Sequence, residues 1–288
     1  MINTSSEIID EDPDPGGLHF SISNHLEKLA KTSPAIRKQF YPSPNELNHT
    51  KNSYLDPLAE NQFEKTKGLI HKYKNRALVL LTMTCAAYCR FCTRRRCVSN
   101  LTDSNLTKKD INRIVTYLDK HTKVNEVIFS GGDPLTSPDI LIYALKKISK
   151  IRSIKVLRIH TRVPISNHSL LSPDILSTIK SIKNIPIYVS LHFEHPDEIT
   201  SPTILAINKL RSRGAILYSQ SVFLKGINDS YPTLYKLFST LIELGIRPYY
   251  LYHCDPVKGA EHFIVPLKKE IDIMTLLLSN LYGLACPT

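Results

Sequence analysis

From about Gly68 onward, apolar positions fall into short continuous runs, separated by stretches in which they recur every three or four residues. The runs at 77–83, 126–130, 155–161, 186–192, 216–221 and 248–253 show little polar alternation, which predicts parallel strands covered on both faces. Between them, Ile111, Ile114, Val115 and Leu118 share one helical face, as do Leu234, Leu237, Phe238 and Leu241. Ser137-Pro138, Ser172-Pro173 and Ser201-Pro202 each predict an N-cap followed by proline in the first helical turn. Gly214 and Gly245 predict C-terminal glycine caps. Six strand–helix units in succession predict an α/β fold, a barrel, either complete or a partial (β/α)6 barrel, in preference to an open doubly wound sheet. Either architecture puts the working residues at the C-terminal ends of the strands.

Residues 1–67 read differently. They are polar, with turn-forming stretches at 12–17 and 41–44, and short helices are predicted near 23–32 and 58–67. We expect a partly helical N-terminal extension packed on a barrel domain spanning 68–288. The chain of 288 residues is 42% apolar and 22% charged, which suits a globular protein, and no apolar run reaches the length of a membrane span. Its first residues carry Glu7, Asp10, Glu11, Asp12 and Asp14 without a basic start or an apolar stretch, so no secretory signal is expected. In a reducing cytoplasm, the expected location, six cysteines read as metal or redox residues and not as a disulfide frame. The formal charge of +11 raises the question of nucleic acid. The basic residues are scattered, however, and form no Lys/Arg block, so the expected partners are small and anionic. Neither nucleic acid nor a membrane is expected.

The densest chemistry lies between residues 85 and 96. Cys85, Cys89 and Cys92 form a C-x3-C-x2-C run on the loop after the first strand, followed by Arg94, Arg95 and Arg96. Three thiolates are one short of the four that close an ordinary iron–sulfur cluster, which predicts chemistry at an open iron. Zinc with Cys97 as fourth ligand is the rival, although structural zinc sites usually pair two C-x2-C knuckles. Of the three arginines, one is expected to grip an anion, and the rest to be solvated. Ser130-Gly131-Gly132-Asp133-Pro134 ends the second strand. Its glycines would let a ligand approach the backbone, and Asp133 would offer a carboxylate to a cation; as a bare turn it would mean little. Later strand ends supply His160 and Arg162, then His192 and His195, Gln220, and finally His253 and Asp255. A buried carboxylate at Asp255 would need a cationic partner. Cys254 and Cys286 read as structural.

Taken together, these residues resemble the radical S-adenosylmethionine enzymes, in particular the lysine 2,3-aminomutase branch. The matching stretches are 69–80 (LIHKYKNRALVL), 85–96 (CAAYCRFCTRRR), 130–135 (SGGDPL), 158–165 (RIHTRVPI), 192–198 (HFEHPDE), 220–229 (QSVFLKGIND) and 247–263 (RPYYLYHCDPVKGAEHF). The resemblance implies that Cys85, Cys89 and Cys92 hold a [4Fe-4S] cluster whose fourth iron chelates S-adenosylmethionine. It implies that Ser130, Gly131, Gly132 and Asp133 receive the amino end of that cofactor, and that His192 and Gln220 contact its remainder. Reductive cleavage would give a 5′-deoxyadenosyl radical that abstracts a substrate hydrogen, and an amino group would migrate from C2 to C3 of lysine or a related amino acid. Arg94 matches the residue for the substrate carboxylate and Asp255 one of two carboxylates for the distal amine. Tyr73 and Arg76 match contacts to pyridoxal 5′-phosphate. A one-electron reductant of flavodoxin or ferredoxin type is implied, and a homo-oligomer is left open.

Two features depart from that pattern. The family continues beyond the position of Cys286-Pro287-Thr288 into a glycine-rich segment carrying the Schiff-base lysine and the second carboxylate; no residue here matches that lysine. After Pro164 the family's Pro-x-Arg is replaced by His168-Ser169-Leu170. The sequence is therefore compatible with a truncated or split frame, with pyridoxal bound without a covalent anchor, or with a paralogue that binds cluster and cofactor without aminomutase activity. RIHTR and Lys72 are closer to the relative that forms β-lysine for modification of elongation factor P.

Overall fold

A computed structural model describes residues 18–98 and 105–288. The acidic N-terminal stretch and the 12–17 turn lie outside the described residues. One sheet of eight strands runs through the molecule in sequence order: β1 (Glu64–Thr66), β2 (Leu69–Tyr73), β3 (Arg76–Thr82), β4 (Glu126–Gly131), β5 (Val156–Thr161), β6 (Ile187–His192), β7 (Ile216–Val222) and β8 (Arg247–Tyr252). Strands β3 to β8 are parallel and coincide with the six predicted runs. The antiparallel pair β1 and β2 extends the β3 edge and was not foreseen. No pairing of β8 back to β1 occurs among the described residues, so the barrel is partial and open.

Helices α1 (Asn24–Ala30) and α2 (Pro34–Phe40) precede the sheet. Helices α3 (Lys108–Lys120), α4 (Pro138–Ile148), a short turn α5 (Val163–Ser166), α6 (Pro173–Ser181), α7 (Ser201–Ser212), α8 (Tyr231–Glu243) and α9 (Leu267–Asn280) follow successive parallel strands. Their apolar faces meet the outward side chains of the sheet. Ile111, Ile114 and Leu118 of α3 and Leu234, Leu237, Phe238 and Leu241 of α8 join Val79, Val127, Phe129, Leu157, Val189 and Leu217 in one buried core. This burial is the main force closing the outer layer. The inner side of the sheet is different, carrying Arg158, His160, His192, Gln220, Tyr250 and Tyr252 toward a cavity. No helix among the described residues is long and apolar enough to cross a membrane.

The predicted punctuation holds with adjustments. Ser172 caps α6 by accepting from Ile175 N at 3.3 Å. Ser137 is the N-cap of α4, but its hydroxyl makes no capping bond. The cap of α7 is Thr200, which puts Ser201 inside the helix. Gly214 and Gly245 adopt the left-handed backbone, φ 85° and 74°, one residue past the C-caps of α7 and α8. The helix expected over 58–67 does not form. Ala59 is left-handed at φ 52°, a short 3-10 turn covers Glu60–Phe63, and β1 takes the rest. No apolar face at helical spacing existed in that segment to pay the cost of a helix. The N-terminal helices lie on the rim: Leu26, Ala30, Ile36 and Phe40 pack with Ala87 and Cys89. Ser33 Oγ donates to Asp197 at 2.6 Å, and Gln39 Nε2 to Glu198 at 2.9 Å.

Candidate active site

The parallel register aligns the strand ends. Thr82 pairs with Gly131, Thr161 with Leu191, His192 with Gln220 and Gln220 with Tyr250. Above these ends opens a cavity of about 620 Å³. The residues to which the family resemblance gave roles all line it: Cys85, Cys89 and Cys92; Ser130, Gly131, Gly132 and Asp133; His192 and Gln220; Tyr73, Arg76, Arg94 and Asp255. Of the other strand-end residues, His160, Arg162 and His253 also line it. His195 instead caps a turn, accepting from Asp197 N at 3.2 Å.

The cysteine loop is tied down from several sides. Cys92 N donates to Cys89 O at 3.0 Å and Tyr88 N to Ser21 O at 3.0 Å. Burial raises the pKa of all three thiols, that of Cys92 to about 11. After burial, the neighbouring thiolate comes next in strength for Cys85, from Cys92, and for Cys92, from Cys89. Cys85 and Cys92 are disfavoured as thiolates by a neighbouring thiolate, whereas Arg162 favours the thiolate of Cys89; three such sulfurs on one wall fit a polycationic group, which would supply the missing positive charge. No three His, Cys, Asp or Glu side chains among the described residues converge closely enough for a single metal ion. Cys97, the fourth ligand of the zinc alternative, does not line the cavity, and its thiol donates to Arg94 O at 3.3 Å. A cubane spreads its ligands over separate corners, so the arrangement fits a cluster better than zinc.

The Ser130–Asp133 loop corrects one expectation and gives another a further cause. The neighbouring backbone by itself requires its glycines. A Cβ on Gly131 would stand 2.2 Å from Thr82 O, and one on Gly132 2.3 Å from Thr84 O. That closeness permits Gly132 N to donate to Thr82 O at 2.6 Å and Asp133 N to Thr84 O at 2.8 Å, stitching this loop to the cysteine loop. Asp133 does not offer a free carboxylate. It accepts from Leu135 N at 3.0 Å, Thr161 Oγ1 at 2.8 and 2.9 Å, Arg162 N at 2.6 Å and Val163 N at 3.1 Å. Its charge is spent on joining the ends of β4 and β5, so any ammonium received here must find other acceptors on the loop.

The arginine run resolves residue by residue. Arg94 is held in two-pronged fashion by Glu60, Nε to Oε2 at 2.8 Å and Nη2 to Oε1 at 2.7 Å. Its Nη1 contacts Ser130 Oγ at 3.4 Å and Gly131 O at 3.3 Å, at the cavity wall. Arg95 is buried and bonds Glu46, Arg90 O and Gly259 O. Arg96 pairs with Asp56 at 3.1 Å. Only Arg94 of the three lines the cavity, and none is a solvated ornament. The acidic partners Glu46, Asp56 and Glu60 come from the N-terminal extension, thirty or more positions away, which no periodicity could reveal.

Burial, reinforced by Arg162 and Arg94, pushes the imidazole of His192 down to about 3, and burial with Arg158 and His192 pushes His160 well below its ordinary value. Both rings are neutral donors or acceptors. Gln220 accepts from Ser190 Oγ at 3.0 Å, leaving its amide nitrogen without a protein partner among the described residues. Asp255 is half-buried, which raises its carboxyl pKa, and no cation pairs with it among the described residues. At the mouth, Arg76 lies 4.1 Å over the Tyr73 ring and has no acidic partner among the described residues, which suits a phosphate. Lys72 is the single lysine in the described lining, and its ammonium donates to Leu58 O at 3.1 Å.

A sequence model of the Radical SAM superfamily matches residues 79–238. An L-lysine 2,3-aminomutase of Acetoanaerobium sticklandii is 38% identical over 254 residues, covering 88% of this chain and 61% of that protein. One from Fusobacterium nucleatum is 36% identical, with coverages of 88% and 59%. One from Buchnera aphidicola is 40% identical over 265 residues, with coverages of 91% and 77%. The chain thus spans about three fifths of the length of the first two. Among solved structures, a radical SAM methyltransferase from Sphaerobacter thermophilus superposes with a TM-score of 0.54 at 15% identity, covering 76% of this chain and 67% of that one. That likeness concerns the fold alone.

Proposed function

We propose, starting from the fact that the chain belongs to the radical SAM superfamily and to its lysine 2,3-aminomutase branch, that it moves an amino group between C2 and C3 of lysine or a similar amino acid. The observation that carries this reading is convergence: the cysteine trio, the Ser130–Asp133 loop, Arg94 and Asp255 all face one cavity. A [4Fe-4S] cluster on Cys85, Cys89 and Cys92, with S-adenosylmethionine bound to it, would supply a reductively generated carbon radical. Pyridoxal phosphate would supply a conjugated ring over which the unpaired electron can spread while the nitrogen moves between carbons.

The chain's own residues do the positioning. Arg94, braced by Glu60, presents Nη1 to a carboxylate while its other edge stays occupied. Asp255, unpaired, attracts an ammonium across the cavity, so the two charges fix both ends of a diamino acid. Neutral His192 and the free amide of Gln220 offer hydrogen bonds to a polar ligand without adding charge. Arg76 on Tyr73 offers a phosphate-binding cation at the mouth. A cytoplasmic setting with a flavodoxin or ferredoxin as electron donor fits this chemistry.

Anaerobic reconstitution with iron and sulfide, followed by incubation with S-adenosylmethionine, dithionite, pyridoxal phosphate and L-lysine, tests the proposal. 5′-Deoxyadenosine together with 3,6-diaminohexanoate supports it. 5′-Deoxyadenosine without any amino-shifted product would reduce the reading to cofactor cleavage alone, and neither product would end it.

A further inference from the structure

Arg162 follows β5 and is buried beside the cysteine loop. Its Nη1 donates to Cys89 Sγ at 2.8 Å. Its Nη2 donates to Glu198 Oε1 at 2.9 Å and to Gln39 Oε1. The rings of Phe40 and Phe91 lie 4.8 and 5.7 Å from the guanidinium carbon and keep water from it. Glu198, with no exposure, also receives Gln39 Nε2 at 2.9 Å and Glu194 N at 3.1 Å, so the carboxylate is fixed in turn. A strut between α2 and the barrel would be complete with Glu198 and Gln39; it needs no contact to sulfur. Among the named cluster ligands, Cys89 is the one that receives this charge-assisted bond. Arg94, the other guanidinium nearby, bonds Glu60, Ser130 and Gly131.

An N–H donated to a ligand sulfur draws electron density from it, and a fixed cation in a dry setting favours the added electron of a reduced cluster. Both effects raise the reduction potential. We infer that Arg162 is a positioning residue that sets the cluster's reduction potential through Cys89, and that Glu198 holds the guanidinium in place while tempering its charge. The inference rests on the cluster reading given above.

The test is an anaerobic EPR redox titration of the reconstituted protein and of Arg162→Gln, Arg162→Lys and Glu198→Gln, each with iron and sulfide measured. At the wild-type midpoint, Arg162→Gln should lower the ratio of reduced to oxidised cluster about tenfold, a shift of ~59 mV for one electron. Arg162→Lys, which keeps the charge and loses the fork, should lose less. Glu198→Gln should raise the ratio, because the cation is then less compensated. Opposite signs from the two sites are what a merely structural clamp cannot produce. Cluster-replete variants whose ratios all stay within about twofold of wild type, under 20 mV, would overturn the inference. If the Arg162 variants assemble no cluster, the sign for Glu198→Gln decides: a rise supports the inference, and no change or a fall refutes it. Failure of the wild type to assemble iron and sulfide would instead sink the cluster reading, and this inference with it.

Discussion

Replacing Gly132 with alanine should separate the two loops on which the site depends. The added Cβ would lie 2.3 Å from Thr84 O, 2.7 Å from Thr84 C and 2.8 Å from Met83 C, all backbone atoms that no rotamer change can clear. The two segments must part by about 1 Å to restore ordinary contact, which typically costs 1–3 kcal/mol in a packed interior. Parting them also weakens the bonds from Gly132 N to Thr82 O and from Asp133 N to Thr84 O, each worth about 1 kcal/mol. A loss of about 3 kcal/mol corresponds to a Tm lowered by roughly 5 °C for a domain of this size. Gly214 supplies the control. Its Cβ would meet nothing within 4 Å, but its φ of 85° is left-handed, so Gly214→Ala should cost only the backbone term. That term is about 1 kcal/mol, or roughly 2 °C. Circular-dichroism melts of the reduced apo-protein compare the two. Iron bound after reconstitution should fall in Gly132→Ala and hold in Gly214→Ala, because Thr82–Thr84 leads directly into Cys85. Equal melting temperatures for the two variants would refute the reasoning.

Other outcomes follow from the same geometry. Asp133→Asn puts an NH2 group against N–H donors that now share a carboxylate, and should cost about 3 kcal/mol in a denaturant titration. Asp255→Asn touches no ion pair among the described residues and should leave stability within about 0.5 kcal/mol. Under the proposed function it should raise KM for a diamino acid roughly tenfold or more; an unchanged KM removes Asp255 from the substrate site. The depressed pKa values of His160 and His192 give stability that is complete above about pH 6.5, the unfolded value, and is lost as pH falls from there toward about 3. Urea unfolding at pH 7.5 and 5.5 should differ by about 3 kcal/mol, and the His160→Gln, His192→Gln double variant should lose most of that difference. The same slope in the double variant would show that other groups carry it.

The six parallel strands were legible because their apolar runs show little alternation, as expected of strands covered by helices on one side and withdrawn from bulk solvent on the other, where they line the cavity. The edge strands β1 and β2 were not. Glu64–Thr66 is short and polar, and its pairing with β2 is set by β2's own pairing to β3, a relation between segments that no local pattern carries. The cysteine trio, Ser130–Asp133, His192, Gln220 and Asp255 were legible because strand ends are where this architecture gathers chemistry, whereas Tyr73 and Arg76, on the β2–β3 hairpin, were implied only by the family resemblance. Side-chain partners were not legible: Glu60 behind Arg94, Glu46 behind Arg90 and Arg95, and Glu198 behind Arg162 are contacts between distant parts of the chain. Gly131-Gly132 is legible as a place of close backbone approach, but not as one where the chain's own backbone is what approaches. Spacing marks where a side chain is forbidden, and only the packed backbone at Thr82–Thr84 says what forbids it.

The account turns on whether the cysteine trio at the cavity wall holds a cubane with one iron left open. Iron and sulfide analysis of the anaerobically reconstituted chain, with EPR of the reduced protein before and after addition of S-adenosylmethionine, addresses this directly. The expected result is about four iron and four sulfide per chain, a signal altered by S-adenosylmethionine, and loss of both when Cys85, Cys89 or Cys92 is changed to serine. Zinc in place of iron and sulfide, or a cluster signal indifferent to S-adenosylmethionine, would contradict it.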